Sequence, residues 1–102
     1  MYYVYILYSQ SIDRYYIGHT SDVSRRLSEH NIPEDFSKYS AKGLPWELVF
    51  SVDISDSRGD AMKVERFIKK QKSRTFIQKL IHQKDNKIFL DDLLRNILKN
   101  VG

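Results

Sequence analysis

The sequence predicts an α+β fold, a three-stranded, mostly antiparallel sheet flanked by helices. A β-branched and aromatic run, Tyr2-Tyr3-Val4-Tyr5-Ile6-Leu7-Tyr8, is followed after a polar turn by Tyr15-Tyr16-Ile17-Gly18, and the two read as a hairpin. The segment Trp46–Ile54 alternates apolar and polar residues as a half-buried strand does, with Trp46, Leu48, Phe50, Val52 and Ile54 on one face. Elsewhere, apolar residues recur at helical spacing in four segments. The expected strands are 2–8, 15–19 and 46–54, and the expected helices span about 22–30, 58–71, 74–83 and 88–99.

Each element follows from its residues. A hairpin centred on Gln10 and Ser11 places Tyr5 directly across from Tyr16. Thr20-Ser21-Asp22 supplies an N-cap for the first helix. At 100° per residue, Val23 and Leu27 share a face with Arg26 and His30, so two phenols, an arginine and a histidine can meet beside one apolar surface. Residues 31–43 carry Pro33 and Gly43 and read as a long loop. Its Lys38, Tyr39 and Lys42 suit contacts to a nucleic acid, or simply line a surface excursion. Ser57 and Asp60 have capping-box spacing and open a helix whose apolar arc is Ala61, Val64, Phe67 and Ile68. Glu65 borders that arc, as an ion-paired, snorkelling or functional carboxylate would. Ser73 caps a further helix carrying Phe76, Ile77, Leu80 and Ile81, and His82 at its end is expected on the surface. The last helix turns Leu90, Leu93, Leu94 and Ile97 inward, either padding the core or offering a dimer face.

The 102 residues suffice for one domain, 1–102, with a modest core. A hydrophobic share of 41% against 29% charged excludes a disordered chain, and the lack of cysteine excludes disulfides and thiolate metal sites. No run approaches the ~18–20 apolar residues of a membrane span. With no leader pattern at the N-terminus, a cytoplasmic protein without membrane partners is expected. The net charge of +4 is unevenly spread: residues 63–84 hold eight basic side chains and one acid, leaving nine basic and twelve acidic elsewhere. Such a run is either a solvated helical face or a surface for a polyanion, through counterion release.

The whole spacing resembles the GIY-YIG nuclease superfamily: Tyr3-Val4-Tyr5, eleven positions to Tyr16, Tyr16-Ile17-Gly18, then Arg26, His30 and Glu65. The likeness is to small bacterial single-domain members, similar to the nuclease domain that makes the 3′ incision in excision repair. It continues through Lys38-Tyr39-Ser40, Pro45–Phe50 and Ile68–Arg74, covers roughly residues 2–82, and ends before the helix at 88–99. Tyr3 stands where the first motif has glycine.

The resemblance implies a metal-dependent DNA endonuclease in which Tyr5 is the general base on water, Tyr16 orients water or phosphate, and His30 assists. Arg26 suits a bidentate contact to the scissile phosphate. Glu65 matches the family's metal-binding glutamate, holding one divalent cation, Mg²⁺ or Mn²⁺. All five side chains are expected around one pocket, with the Glu65 carboxylate on the same side of the sheet as the tyrosine hydroxyls. Lys38, Lys42, Lys69, Lys70, Lys72 and Arg74 are the expected nucleic-acid contacts, and branched, flapped or damaged DNA in repair is the expected partner. Two rival readings remain: a basic nucleic-acid-binding module with silent chemistry, and an adaptor assembling through its last helix.

Overall fold

The computed structural model describes residues 1–32 and 39–99. Lys38 lies outside the described residues. The strands are β1 (Tyr2–Ser9), β2 (Arg14–Thr20) and β3 (Trp46–Ser55), and the helices α1 (Val23–Asn31), α2 (Tyr39–Lys42), α3 (Arg58–Lys70), α4 (Arg74–His82) and α5 (Lys87–Lys99). The sheet order is β2-β1-β3, with both pairings antiparallel. This is the expected α+β architecture. A four-residue helix, α2, stands within the stretch expected to be loop.

Alternation along β1 separates two apolar layers. Val4 and Ile6, with Ile17 and Phe50, bury against Ala61, Val64 and Ile68 of α3, Leu80 of α4 and Leu90 of α5. Tyr5 and Leu7, with Trp46, pack with Tyr16, Leu27 and Leu44. Burying each such side chain stabilises the fold by about 1.5–3 kcal/mol. In α5, Leu93, Leu94, Ile97 and Leu98 also lie on the first layer, so this helix pads the core, while Ile88 stays exposed. The caps form where the sequence places them: Asp22 accepts from the Arg25 amide, Ser57 from Asp60 and Ser73 from Phe76. The box at α3 closes on one side only, because the Asp60 carboxylate accepts from the Ser55 hydroxyl instead.

Two details depart from the expected pattern. The turn is longer than a hairpin centred on Gln10 and Ser11 allows: Ser9 pairs with Arg14, Tyr5 with Gly18 and Leu7 with Tyr16. The shift is two residues, an even number, so Tyr5 and Tyr16 keep a common face. In β3, Ile6 pairs with Phe50 but Leu7 with Leu48, which leaves Val49 as an extra residue. This bulge flips the alternation, so Trp46 and Phe50 fall in different layers rather than on one face.

Candidate active site

Tyr5 sits mid-strand in the central β1 and is 1% exposed. Opposite it, Gly18 leaves room for the ring: a β-carbon there would stand 2.5 Å from the phenol oxygen. The glycine is required by this close approach, since only a hydrogen fits beneath the hydroxyl. Tyr16 stacks beside Tyr5 with ring centroids 6.3 Å apart. From α1, His30 is buried and places Nε2 3.3 Å from the Tyr5 hydroxyl, with its ring edge-on to Tyr16 at 4.5 Å. Trp46 closes the wall, 6.2 Å from the Tyr16 ring. Next to His30, the Asn31 side chain donates to the Trp46 carbonyl at 2.9 Å and accepts from its amide at 2.7 Å. These two hydrogen bonds fix the end of α1 against β3, and with it the position of His30.

Arg26, one turn before His30, directs its guanidinium at both phenols and at Glu29, whose Oε1 is 3.3 Å from Nη1. Burial raises the Tyr5 pKa above the ordinary tyrosine value; Arg26 opposes this, while Tyr16 and Glu65 add to it. Burial also works against the charge on Arg26, yet its contacts with Tyr5, Glu29 and Tyr16 outweigh that and hold its pKa above the usual value. His30 is pushed below the ordinary histidine value by burial and then by the Arg26 charge. A neutral imidazole therefore faces a neutral phenol. Such a pair can pass a proton between Oη and Nε2.

Glu65 arrives from the other layer. Its partner His19 pairs with Val4, so the His19 side chain leaves β2 on the face opposite Tyr5. The expectation of one shared face is thus corrected: Tyr5, Tyr16, Arg26 and His30 belong to the α1 side and Glu65 to the α3 side. β2 is an edge strand, however, and the Glu65 charge is the smallest of the influences that raise the Tyr5 pKa. One Glu65 oxygen lies 2.9 Å from His19 Nδ1 and the other accepts from Lys69 Nζ at 3.2 Å. The carboxylate already attracts a cation to one oxygen, and it is a hard donor of the kind that holds Mg²⁺ or Mn²⁺ alongside waters and phosphate oxygens. The residues present therefore fit a single divalent ion at Glu65.

The expected phosphate contacts divide. Lys42, Lys70 and Lys72 are exposed, Lys72 at a positive φ of 47° just beyond α3. Lys69 is shared with Glu65. Arg74 is committed: it pairs with the Asp13 carboxylate, donates to the Asp13 carbonyl at 3.2 Å and covers the Tyr15 ring at 5.0 Å. His19, Asn31 and the wall-forming role of Trp46 are absent from the sequence reading. Strand alternation gives a signal for His19 alone, which it points toward α3.

A family model described as the GIY-YIG catalytic domain matches residues 1–80. A UPF0213 protein of Streptococcus pyogenes serotype M3 is 37% identical over 90 residues, covering 83% of this chain and 91% of the relative. A UPF0213 protein of serotype M1 shows the same identity and coverage. Another, of serotype M5, is 38% identical over 76 residues, covering 71% of this chain and 78% of its own length. No solved structure matches the chain.

Proposed function

This chain belongs to the GIY-YIG family of nuclease domains, and on that premise we propose that it is a metal-dependent endonuclease acting on DNA. The substrate of a nuclease domain is nucleic acid; branched, flapped or damaged DNA, and hence a repair role, is our reading of the target. We take residues 1–102 as one nuclease domain, with α5 completing its core. No described helix is long and apolar enough to cross a membrane.

The observation that carries the reading is the 3.3 Å contact between the buried Tyr5 hydroxyl and His30 Nε2, with Arg26 beside it. In the proposed reaction Tyr5 takes a proton from the attacking water as its own proton passes to His30. This relay lowers the barrier that an isolated phenol, with a pKa near 10, presents to a base at neutral pH. Tyr16 orients the water or a phosphate oxygen, and Arg26 meets the charge that develops on the scissile phosphate. Glu65 would hold one Mg²⁺ or Mn²⁺, and the bound ion would supply charge neutralisation at the phosphate and stabilisation of the leaving 3′ oxygen. Lys42, Lys70 and Lys72 hold the backbone of the nucleic acid, with Lys38 a further proposed contact and Lys69 and Arg74 engaged as described.

Cleavage of a panel of branched, single-stranded and duplex DNAs with Mg²⁺ or Mn²⁺ tests this. Metal-dependent nicking of at least one substrate supports the enzyme. Salt-sensitive binding without cutting supports the silent binding module instead.

A further inference from the structure

One histidine next to the site is absent from the proposed chemistry, although its environment is fully specified. His19 Nδ1 lies 2.9 Å from Glu65 Oε1, and its Nε2 receives the Arg58 Nε at 3.5 Å. Both side chains of the His19–Glu65 pair are only 19% exposed. An ionised carboxylate can only accept, so Nδ1 carries the hydrogen that Glu65 Oε1 receives. Arg58 borders the far side of the ring, and the imidazole gives Glu65 Oε1 one directional bond. Oε2 is engaged differently, by the Lys69 ammonium at 3.2 Å, on a side chain that is 54% exposed.

The two oxygens are thus unequal. His19 is a short, stiff donor on a strand, and it orients the carboxylate. Lys69 is a long, largely exposed side chain in an i,i+4 pair, a weak contact readily exchanged for another cation. We propose that His19 is a positioning residue: held by Arg58, it fixes Oε1 of Glu65 so that Oε2 is the atom presented to a divalent ion, with Lys69 giving way. The inference rests on the reading of Glu65 as the metal-binding carboxylate.

Groups that orient a metal ligand from behind contribute about 10- to 100-fold to metal affinity. An alternative role is purely mechanical, a staple between β2 and α3. Substitution separates the two. His19→Phe keeps a planar ring and removes the hydrogen bond. His19→Asn keeps a donor near the place of Nδ1.

The experiment measures Mn²⁺ binding to the folded full-length chain, by counting free Mn²⁺ from its EPR signal, for wild type, Glu65→Gln, His19→Phe, His19→Asn and Lys69→Met. Thermal melts accompany each variant. The proposal expects Glu65-dependent binding that weakens about tenfold or more in His19→Phe, returns to within about threefold of wild type in His19→Asn, and tightens about twofold in Lys69→Met. Wild-type affinity in a folded His19→Phe overturns the positioning role and leaves the Glu65 site standing. ¹⁴N modulation of the Mn²⁺ electron-spin echo, lost in His19→Phe, also overturns it, by making His19 a ligand. Equal binding by wild type and Glu65→Gln overturns the metal site itself, and this role with it. If His19→Phe does not fold, the Asn variant decides: binding as weak as that of Glu65→Gln contradicts the proposal.

Discussion

Two tyrosine pairs stand on the same hairpin and meet opposite fates. Tyr5 and Tyr16 lie in the inner cluster with Arg26 and His30; Tyr8 and Tyr15 lie at the hairpin tip with Asp13 and Arg74. Their ingredients are similar, two phenols and a guanidinium. In the outer cluster Tyr8 donates to Asp13 at 2.7 Å and Arg74 pairs with the same carboxylate; Asp13 and Arg74 are exposed, and Tyr8 and Tyr15 are half-buried. There the shifts come from direct partners: the Tyr8 hydrogen bond and Arg74 lower the Asp13 pKa, and the bond to Asp13 raises that of Tyr8. In the inner cluster burial dominates over the opposing Arg26 guanidinium, and the Tyr5 hydroxyl makes a long, 3.3 Å contact to an uncharged imidazole. A satisfied, hydrated cluster fastens the hairpin tip to α4. A desolvated, loosely bonded one keeps a proton that it can exchange.

The largest effect that sharpens this contrast is on turnover. Tyr5→Phe should lower single-turnover cleavage by about 10²- to 10⁴-fold, the usual worth of a general base. Tyr8→Phe should leave the rate within about twofold of wild type, because its hydroxyl serves only Asp13. Equal losses in the two variants would erase the distinction between the clusters.

Next in size is Gly18→Ala. The added carbon falls 2.5 Å from the Tyr5 hydroxyl, so the ring must move. Overpacking of this kind costs about 1–3 kcal/mol, and a displacement of about 1 Å can cost on the order of 10²-fold in rate. A denaturant titration and the cleavage assay on the folded variant check both. An unchanged rate would show that the Tyr5 position is not critical.

The basic side chains from the end of α3 to the start of α4 differ in the same way as the two clusters. Neutralising Lys70 and Lys72 together should reduce the slope of log K against log salt by up to about 1.8, at about 0.9 per lost duplex-phosphate contact. Arg74→Met should leave that slope alone and lower the melting temperature, since Arg74 is spent on Asp13 and Tyr15. A slope that responds to Arg74 would show that the outer cluster opens to bind DNA.

The smallest effect is on stability against pH. The folded pKa of His30 lies below the unfolded value of about 6.5, so below that pH the unfolded chain binds more protons. Stability present above pH 6.5 is therefore lost as pH falls through the folded value. His30→Asn should flatten this step. Tyr5 and Arg26, which face His30, are both held above their ordinary values and keep their protons throughout this range. Asp13 is also depressed, so its own step comes later, below the usual carboxylate value of about 3.9. Melts across pH 3–8 should show the upper step removed in His30→Asn and unaffected by Tyr8→Phe.

Much of this arrangement was legible from the residues. Element limits follow apolar periodicity and caps, and all seven expected elements agree with the structure to within a residue at each end. The common face of Arg26 and His30 follows from helical geometry, which tolerates no slip. What the sequence hid was non-local. The bulge at Val49 depends on pairing with β1, so the unbroken alternation around it pointed Trp46 to the wrong layer. The true turn, closed by Ser9 and Arg14, depends on Asp13 taking a positive φ of 51°, one of several backbone choices its sequence permits. The role of His19 is not legible in the sequence, because it arises only when α3 brings Glu65 and Arg58 to β2, from more than thirty residues away.

The most direct test of the account is cleavage by Glu65→Gln set against wild type across a titration of Mg²⁺ or Mn²⁺. Glu65 is a partly exposed side chain whose bonds to His19 and Lys69 are the only fold interactions at stake among the described residues. The variant should remain folded, within about 1 kcal/mol of wild type, and should bind DNA without metal at least as well, having lost a negative charge. The account predicts that its metal-dependent cleavage falls by orders of magnitude at every metal concentration. A folded Glu65→Gln that cuts DNA at the wild-type rate would contradict it.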